Sequence, residues 1–71
     1  MYPNPASDIV NFNFSNLNTS GIKITIYDST GIVVDVLENV TSYPVNRLRK
    51  GFYIVVATDG SFTESKKLLV K

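Results

Sequence analysis

Cysteine, histidine and tryptophan are absent from the 71-residue sequence. Without cysteine, the chain forms no disulfides and no thiolate metal sites. Without histidine, it lacks the commonest general base, the usual partner of a catalytic serine and the commonest zinc ligand. Its carboxylates have neither the paired spacing of acid–base catalysts nor the density of a calcium loop. We therefore expect that the protein is not an enzyme, has no catalytic residues, and holds no metal and no cofactor.

Long apolar runs are absent as well, since no stretch approaches the ~18 residues that a membrane-spanning helix needs. The first residues also lack the basic region and apolar run of a signal peptide. The net charge is +1, with one lysine against three aspartates in residues 1–35 and six basic against three acidic side chains in residues 36–71. The basic half suits an anionic partner, although basic residues scattered among apolar ones are more typical of a solvated face. Aromatic and basic residues do not interleave along a strand pair, so we expect no nucleic-acid binding and no membrane insertion.

Polar and apolar residues alternate in several segments, which is typical of β-strands with one buried face. The segments "DIVNFNF" and "GIKITIYD" both alternate in this way, and "IVVDVLE" continues the pattern after "DSTG". Gly31 can take positive φ, so we predict a hairpin there with Ile32, Val34 and Val36 on one face. The predicted core comprises Val10, Phe12, Ile22, Ile24, Ile26, Val34 and Val55.

The second half of the chain predicts three more strands. The nearly continuous apolar run "GFYIVVAT" indicates a strand that is central in its sheet or covered on both faces. Before it, "SYPV" predicts a short edge strand, because Pro44 cannot donate to a ladder. After it, "DG" at 59–60 predicts a turn into the last strand, "SFTESKKLLVK". With no helical apolar stripe in any window, we predict one all-β domain over residues 1–71, an antiparallel β-sandwich of about seven short strands.

The opening "YPNP" is a different kind of segment. Pro3 and Pro5 fix φ and lack an N–H, and they push Tyr2 and Asn4 toward extended geometry. We interpret the segment as a stiff, extended lead-in to the first strand. Met1 is interpreted as an added start in place of a longer preceding protein.

Three segments taken in order resemble a known family: "YPNPASD", "IYDSTGIVV" and "LRKGFYIVVATDG…ESKKLLVK". Together they are similar to the C-terminal sorting domain, type A, of the type IX secretion system of Bacteroidetes bacteria. That family shows YPNP at the start, a "YD…G" hairpin, then "L-P-x-G-x-Y" and a last strand with a lysine-led apolar run and a basic end. The resemblance covers nearly all of residues 2–71. Arg49 departs from the pattern, because the family usually has proline there, and this affects the expected stiffness of the loop before Gly51.

The resemblance implies an immunoglobulin-like β-sandwich that serves as a signal and not as a catalyst. Such a domain ends a secreted cargo protein, which reaches the periplasm by a separate N-terminal signal. The domain then directs the cargo through the outer-membrane translocon. A sortase-like surface protease usually removes the domain and joins the cargo to anionic lipopolysaccharide. The implied partners are the type IX translocon, this protease and an N-terminal cargo domain, and the implied location is the periplasm in transit and then the cell surface or the medium.

The resemblance carries the family's sorting motif onto a set of matching positions. Folding accounts for several of them, because Gly31 and Gly51 suit turns and Leu48 suits packing. A tyrosine at a sandwich corner, such as Tyr53, often ties its hydroxyl to nearby backbone. The proline segment and the terminal lysines have no such explanation. The sorting-motif positions are Pro3, Asn4, Pro5, Tyr27, Asp28, Gly31, Leu48, Gly51, Tyr53, Lys67 and Lys71.

Two other functions stay open on the sequence alone. A cell-surface adhesion or carbohydrate-binding sandwich of the fibronectin type III kind needs an exposed aromatic patch or a calcium loop. A structural spacer between enzyme domains would continue beyond Lys71. The long last strand also offers an unpaired sheet edge. We hypothesise that the translocon or a second copy of the chain adds a strand to this edge.

Overall fold

Alternation of β-branched and polar residues gives six strands in the described parts of the chain. The structure is a computed structural model that describes residues 8–12, 21–46 and 48–71. The all-β prediction is confirmed, with six strands where about seven were expected and no helix in these segments. The opening "YPNP" and Phe14 lie outside the described residues. The strands are β1 (Ile9–Asn11), β2 (Lys23–Asp28), β3 (Val33–Glu38), β4 (Ser42–Pro44), β5 (Gly51–Thr58) and β6 (Thr63–Val70).

The strands form two antiparallel sheets. One sheet has four strands in the order β3-β2-β5-β6, and the other contains β1 and β4. The apolar strand β5 pairs with β2 on one side and with β6 on the other, so its predicted central position is confirmed. Pro44 pairs with Ile9 in the two-stranded sheet, where each strand is an edge among the described residues, as the missing N–H of proline requires.

The turn predicted at "DG" joins β5 to β6. Gly60 has a φ of 96°, a conformation that glycine adopts without the steric penalty of a Cβ. The Asp59 N–H donates to the Phe62 carbonyl at 3.2 Å. The Asp59 carboxylate accepts from the N–H groups of Ser61 and Phe62, each at 2.8 Å. This network closes the hairpin, and the prediction is confirmed.

The core lies between the inner face of the four-stranded sheet and the smaller sheet. Val10, Tyr43 and Val45 reach it from β1, β4 and the residues just after β4. Phe12 is partly buried and packs against the same cluster. Full burial of a valine, leucine or isoleucine side chain contributes about 1.5–3 kcal/mol. The buried apolar residues are Val10, Ile22, Ile24, Ile26, Tyr43, Val45, Tyr53, Val55, Ala57, Leu68 and Val70.

A β-bulge in β3 makes one core prediction wrong. Ile26 pairs with Asp35 while the next residue, Tyr27, pairs with Val33, so Val34 is the extra residue of the bulge. A one-residue shift of register exchanges the two faces of a strand. Val34 is therefore 39% exposed and Val36 48% exposed, although both were expected to face inward with Ile32.

The bulge turns Asp35 and Leu37 toward the core side. Leu37 is partly buried and packs against the core cluster. One carboxylate oxygen of Asp35 accepts a hydrogen bond from the Tyr43 hydroxyl at 2.8 Å, and the other accepts from the Val36 N–H at 2.8 Å. Tyr43 lies on β4, so this contact is a polar link between the two sheets. The carboxylate is satisfied at both oxygens, as an inward-facing polar group must be.

Substitutions at Ile24 and Val34 test the register. Ile24 is fully buried, so Ile24→Ala should lower the free energy of unfolding by about 2–5 kcal/mol, and the milder Ile24→Val by about 1 kcal/mol. Val34→Ala, on the exposed bulge, should change it by about 0.5 kcal/mol or less. Urea denaturation of the variants measures both. Similar losses from Ile24→Val and Val34→Ala would contradict the bulged register.

Candidate recognition surface

The structure brings the described sorting-motif residues to one end of the four-stranded sheet. Tyr27 pairs with Ile54 across β2 and β5, and Ile54 pairs with Lys67 across β5 and β6. Tyr27, Ile54 and Lys67 therefore lie in one row across three strands, with ~4.8 Å between neighbouring strands. Pro3, Asn4 and Pro5 fall outside the described residues, so their sorting role stays a prediction.

Asp28 and Gly31 build the β2–β3 turn. One carboxylate oxygen of Asp28 accepts from the Thr30 N–H at 2.9 Å, from the Thr30 hydroxyl at 2.6 Å and from the Ile32 N–H at 3.0 Å. The hydrogen bond from the Thr30 hydroxyl, followed by that from the Ile32 N–H, lowers the pKa of Asp28 below its ordinary value of 3.8, because both favour the ionised form. Gly31 has a φ of 90°. The conformation of the turn is therefore a sufficient structural reason for aspartate at position 28 and glycine at position 31.

Leu48, Gly51 and Tyr53 build the corner that leads into β5. The Tyr53 hydroxyl donates to the Arg49 carbonyl at 2.7 Å, so the predicted tie from this tyrosine to nearby backbone is confirmed. Leu48 packs against the core cluster, as expected. Gly51 has a φ of 147°, but it is the first residue of β5 and pairs with Val70, whereas a turn position was expected. Arg49 stands where the family usually has proline, and here the tyrosine hydroxyl fastens the loop.

The outer face of the four-stranded sheet, opposite the core, is largely apolar. On β5 the outer residues are Phe52, Ile54 and Val56, with Phe52 50% exposed and Ile54 37% exposed. Strand registers place further apolar residues beside them on β3, β2 and β6. We call the whole set the outer patch. It consists of Tyr27, Val33, Val36, Phe52, Ile54, Val56 and Leu69.

Lys67 places a positive charge at the β6 side of the outer patch. Its ammonium nitrogen lies 4.5 Å from the centroid of the Phe52 ring, within the range of a cation–π interaction worth about 0.5–1 kcal/mol at an exposed site. Lys66 and Lys71 are also exposed. The end of β6 therefore combines backbone at a sheet edge, three cations and a neighbouring apolar surface.

Sequence reasoning missed Phe52 and Ile54 as surface residues. A strand of an antiparallel sheet usually has polar residues on its solvent face, but "GFYIVVAT" is apolar on both faces, so its pattern does not show which face is exposed. Among the described residues, no cluster of acidic, histidine or cysteine side chains is suited to hold a metal ion. No helix in the same segments has the length and apolar character needed to cross a membrane.

Removal of the Tyr53 hydroxyl tests the corner. Tyr53→Phe should lower the free energy of unfolding by about 1 kcal/mol, because the side chain is buried and its hydrogen bond is lost. Tyr27→Phe, on the outer face, is the matched control and should change it by about 0.5 kcal/mol or less. Chemical denaturation compares the two. Equal effects would show that the Arg49 contact has no role in stability.

The turn carboxylate gives a pH-dependent prediction. Because the pKa of Asp28 is lowered in the folded state, the ionised carboxylate stabilises the fold at pH values above its ordinary pKa. This stabilisation is lost as the pH falls through the pKa of the folded state. The difference in unfolding free energy between the wild type and Asp28→Asn should be constant above about pH 5 and shrink as the pH falls below that. Urea denaturation over a pH series measures it. A difference that stays constant to about pH 2 would contradict the assignment.

Comparison with known proteins identifies the family of the chain. No curated protein sequence matches the chain. A family profile described as "Secretion system C-terminal sorting domain" matches residues 1–71, which is the whole chain. The hairpin turn, the tyrosine corner and the basic last strand all lie within the matched range. The chain therefore belongs to the family of type IX secretion system C-terminal sorting domains.

Proposed function

We propose that the chain directs an attached cargo protein through the type IX outer-membrane translocon. A sortase-like surface protease then removes the domain and attaches the cargo to the cell surface. The family supports the general role, since it consists of sorting signals on secreted cargo proteins and is not a family of enzymes. The observation that carries the specific proposal is the basic edge strand β6.

Strand β6 has the features of an edge that accepts a partner strand. It spans eight residues without proline, and in the described segments it pairs with β5 alone. The other edge of this sheet, β3, is interrupted by the bulge at Val34, and bulges discourage strand addition. An extended segment of the translocon can therefore add to β6 through backbone hydrogen bonds.

The lysines at the end of β6 favour an anionic partner. Lys66, Lys67 and Lys71 are exposed, whereas Leu68 and Val70 belong to the core. A single lysine is enough to blunt an edge against aggregation. Three cations instead suit a groove of negative charge, in which charge speeds the encounter and strand pairing fixes the register.

Export of a fusion protein tests the proposal. Residues 2–71 are fused to a periplasm-targeted fluorescent protein in a bacterium that has a type IX system. Lys67→Glu with Lys71→Glu should reduce the signal at the surface and in the medium severalfold. The melting temperature should fall by only several degrees, because exposed charges and one cation–π contact contribute at most about 1 kcal/mol each. Lys50→Glu, at an exposed lysine outside β6, is the control for the single charge reversals Lys67→Glu and Lys71→Glu, which are measured alongside the double variant.

Deletion of residues 66–71 should leave the cargo in the periplasm. This variant also removes the buried Leu68 and Val70, so the charge variants separate recognition from folding. If the truncated fusion is exported as well as the intact one, the chain is not a sorting signal of this kind. Full export of the double lysine variant would show that the basic end is not recognised.

A further inference from the structure

The chain enters the domain next to the end of β4. Ile9, the first residue of β1, pairs with Pro44, the last residue of β4. One residue further out, the Val45 N–H donates to the Asp8 carbonyl at 2.7 Å. Because the two strands are antiparallel, β1 runs away from this contact. A cargo that precedes Asp8 is therefore joined at the Val45 end of the small sheet.

A short connection leads from Val45 to Gly51, the first residue of β5. The Leu48 N–H donates back to the Val45 carbonyl at 2.9 Å, a turn that holds these two residues within ~7 Å of each other. The three steps from Leu48 to Gly51 add at most about 11 Å. Strand β5 has eight residues and is about 24 Å long. The connection is too short to reach the far end of β5, so Val45 lies at the end where β5 begins.

Strand β6 finishes at this same end of the sandwich. Gly51 pairs with Val70, and Lys71 follows directly. We call this end, which contains Asp8, Val45, Gly51 and Val70, the entry pole. The turn at residues 59–60 joins the other ends of β5 and β6 and lies at the opposite pole, about 24 Å away. The basic end of β6 is therefore at the pole where a cargo is attached.

This arrangement makes the cargo an obstacle to recognition of β6. The described domain has a radius of gyration of 11.2 Å, and a folded cargo of about 100 residues has one of ~13 Å. Such a cargo joined directly to Asp8 would occupy the space beside Lys71 that a partner needs. Access to the basic end of β6 thus requires a distance between the cargo and the entry pole.

The opening "YPNP" has the composition of a segment that sets such a distance. Proline fixes φ, and a residue that precedes proline favours extended backbone. At the ~3.1 Å rise per residue of an extended proline-rich chain, residues 2–7 can span about 19 Å. A flexible Gly/Ser segment of equal length has a root-mean-square end-to-end distance of roughly 12–15 Å and folds back freely.

We propose that the segment before Asp8 is a stiff spacer that keeps the cargo clear of the entry pole, so that a partner can reach the basic end of β6. The purpose of the spacer rests on the proposed sorting function, whereas its geometry does not. In this role Pro3 and Pro5 set a distance, and no partner has to contact them.

Access to the two poles tests the geometry without any secretion machinery. The chain has no cysteine, so Lys71→Cys and Ser61→Cys, both at exposed positions, each place one thiol at one pole. A cysteine-free fluorescent protein is joined either directly to Asp8 or to the intact residues 2–71. A bulky polyethylene glycol maleimide should label Lys71→Cys severalfold more slowly in the direct fusion.

Two controls accompany this measurement. Ser61→Cys should react equally in both fusions, and a small maleimide should label either thiol equally in both. Thermal melting confirms that the domain is folded in each. Equal labelling of Lys71→Cys by the bulky reagent in the two fusions would overturn the inference.

Export of the same fusion tests the purpose of the spacer. Replacement of residues 2–7 by an equal number of Gly/Ser residues should slow the initial rate of export severalfold. Lengthening this replacement to about 20 Gly/Ser residues should restore the rate, because its root-mean-square reach rises to roughly 22–27 Å. The same long linker placed before the intact residues 2–71 is the control and should leave the rate unchanged.

The outcomes separate a spacer from a binding motif. If the long linker does not restore export although Lys71→Cys is accessible, a partner contacts "YPNP" directly, and the inference fails while the sorting function stands. An unchanged rate after the short Gly/Ser replacement also overturns the inference. If the intact fusion is not exported, the sorting function fails, and the labelling rates alone decide whether the spacer keeps the entry pole open.

Discussion

The β-bulge at Val34 is the constraint on which the arrangement of the larger sheet depends. Without the extra residue, the same turn would place Val34 and Val36 opposite Ile26 and Ile24, on the core side. With it, Asp35 and Leu37 take these positions. One inserted residue therefore exchanges the two faces of β3. The same residue interrupts one edge of the sheet and adds valines to the outer face.

The inward turn of Asp35 has a structural consequence in the smaller sheet. Its carboxylate accepts the hydroxyl proton of Tyr43, and Tyr43 is otherwise buried among apolar residues. Strands β1 and β4 have three residues each, so few ladder hydrogen bonds hold them together. Burial of Val10 and Val45, with the link from Tyr43, attaches this small sheet to the large one. In a domain of this size, each such contact is a sizeable part of the net stability.

The family's motif residues divide into two physical groups. Asp28, Gly31 and Tyr53 close turns and corners through contacts that the structure supplies, so folding is a sufficient reason for them. Lys67 has no comparable role in the core and lies instead beside Phe52 on the outer face. Residues of the first group shape the end of the sheet, whereas Lys67 adds a positive charge beside an exposed aromatic ring.

The sequence by itself determined the features that depend on short-range physics. Alternation predicted the strands, glycine at positive φ predicted both hairpins, and the apolar run predicted that β5 is central. The order of its motifs indicated the family, and five of the eleven buried core residues were predicted: Val10, Ile22, Ile24, Ile26 and Val55. These properties depend on residues close together in the chain, whose conformational preferences and spacing are visible in one sequence.

Only the tertiary structure decided which face of β3 and β5 is covered. Alternation fixes that two faces exist, but the register between strands fixes which of them meets the core. The bulge at Val34 has no distinct sequence signal, since Val33, Val34 and Val36 suit either face equally well. For the same reason the sequence did not reveal that Phe52 and Ile54 face outward beside Lys67. That placement arises from pairing between strands distant in the chain, which no local pattern encodes.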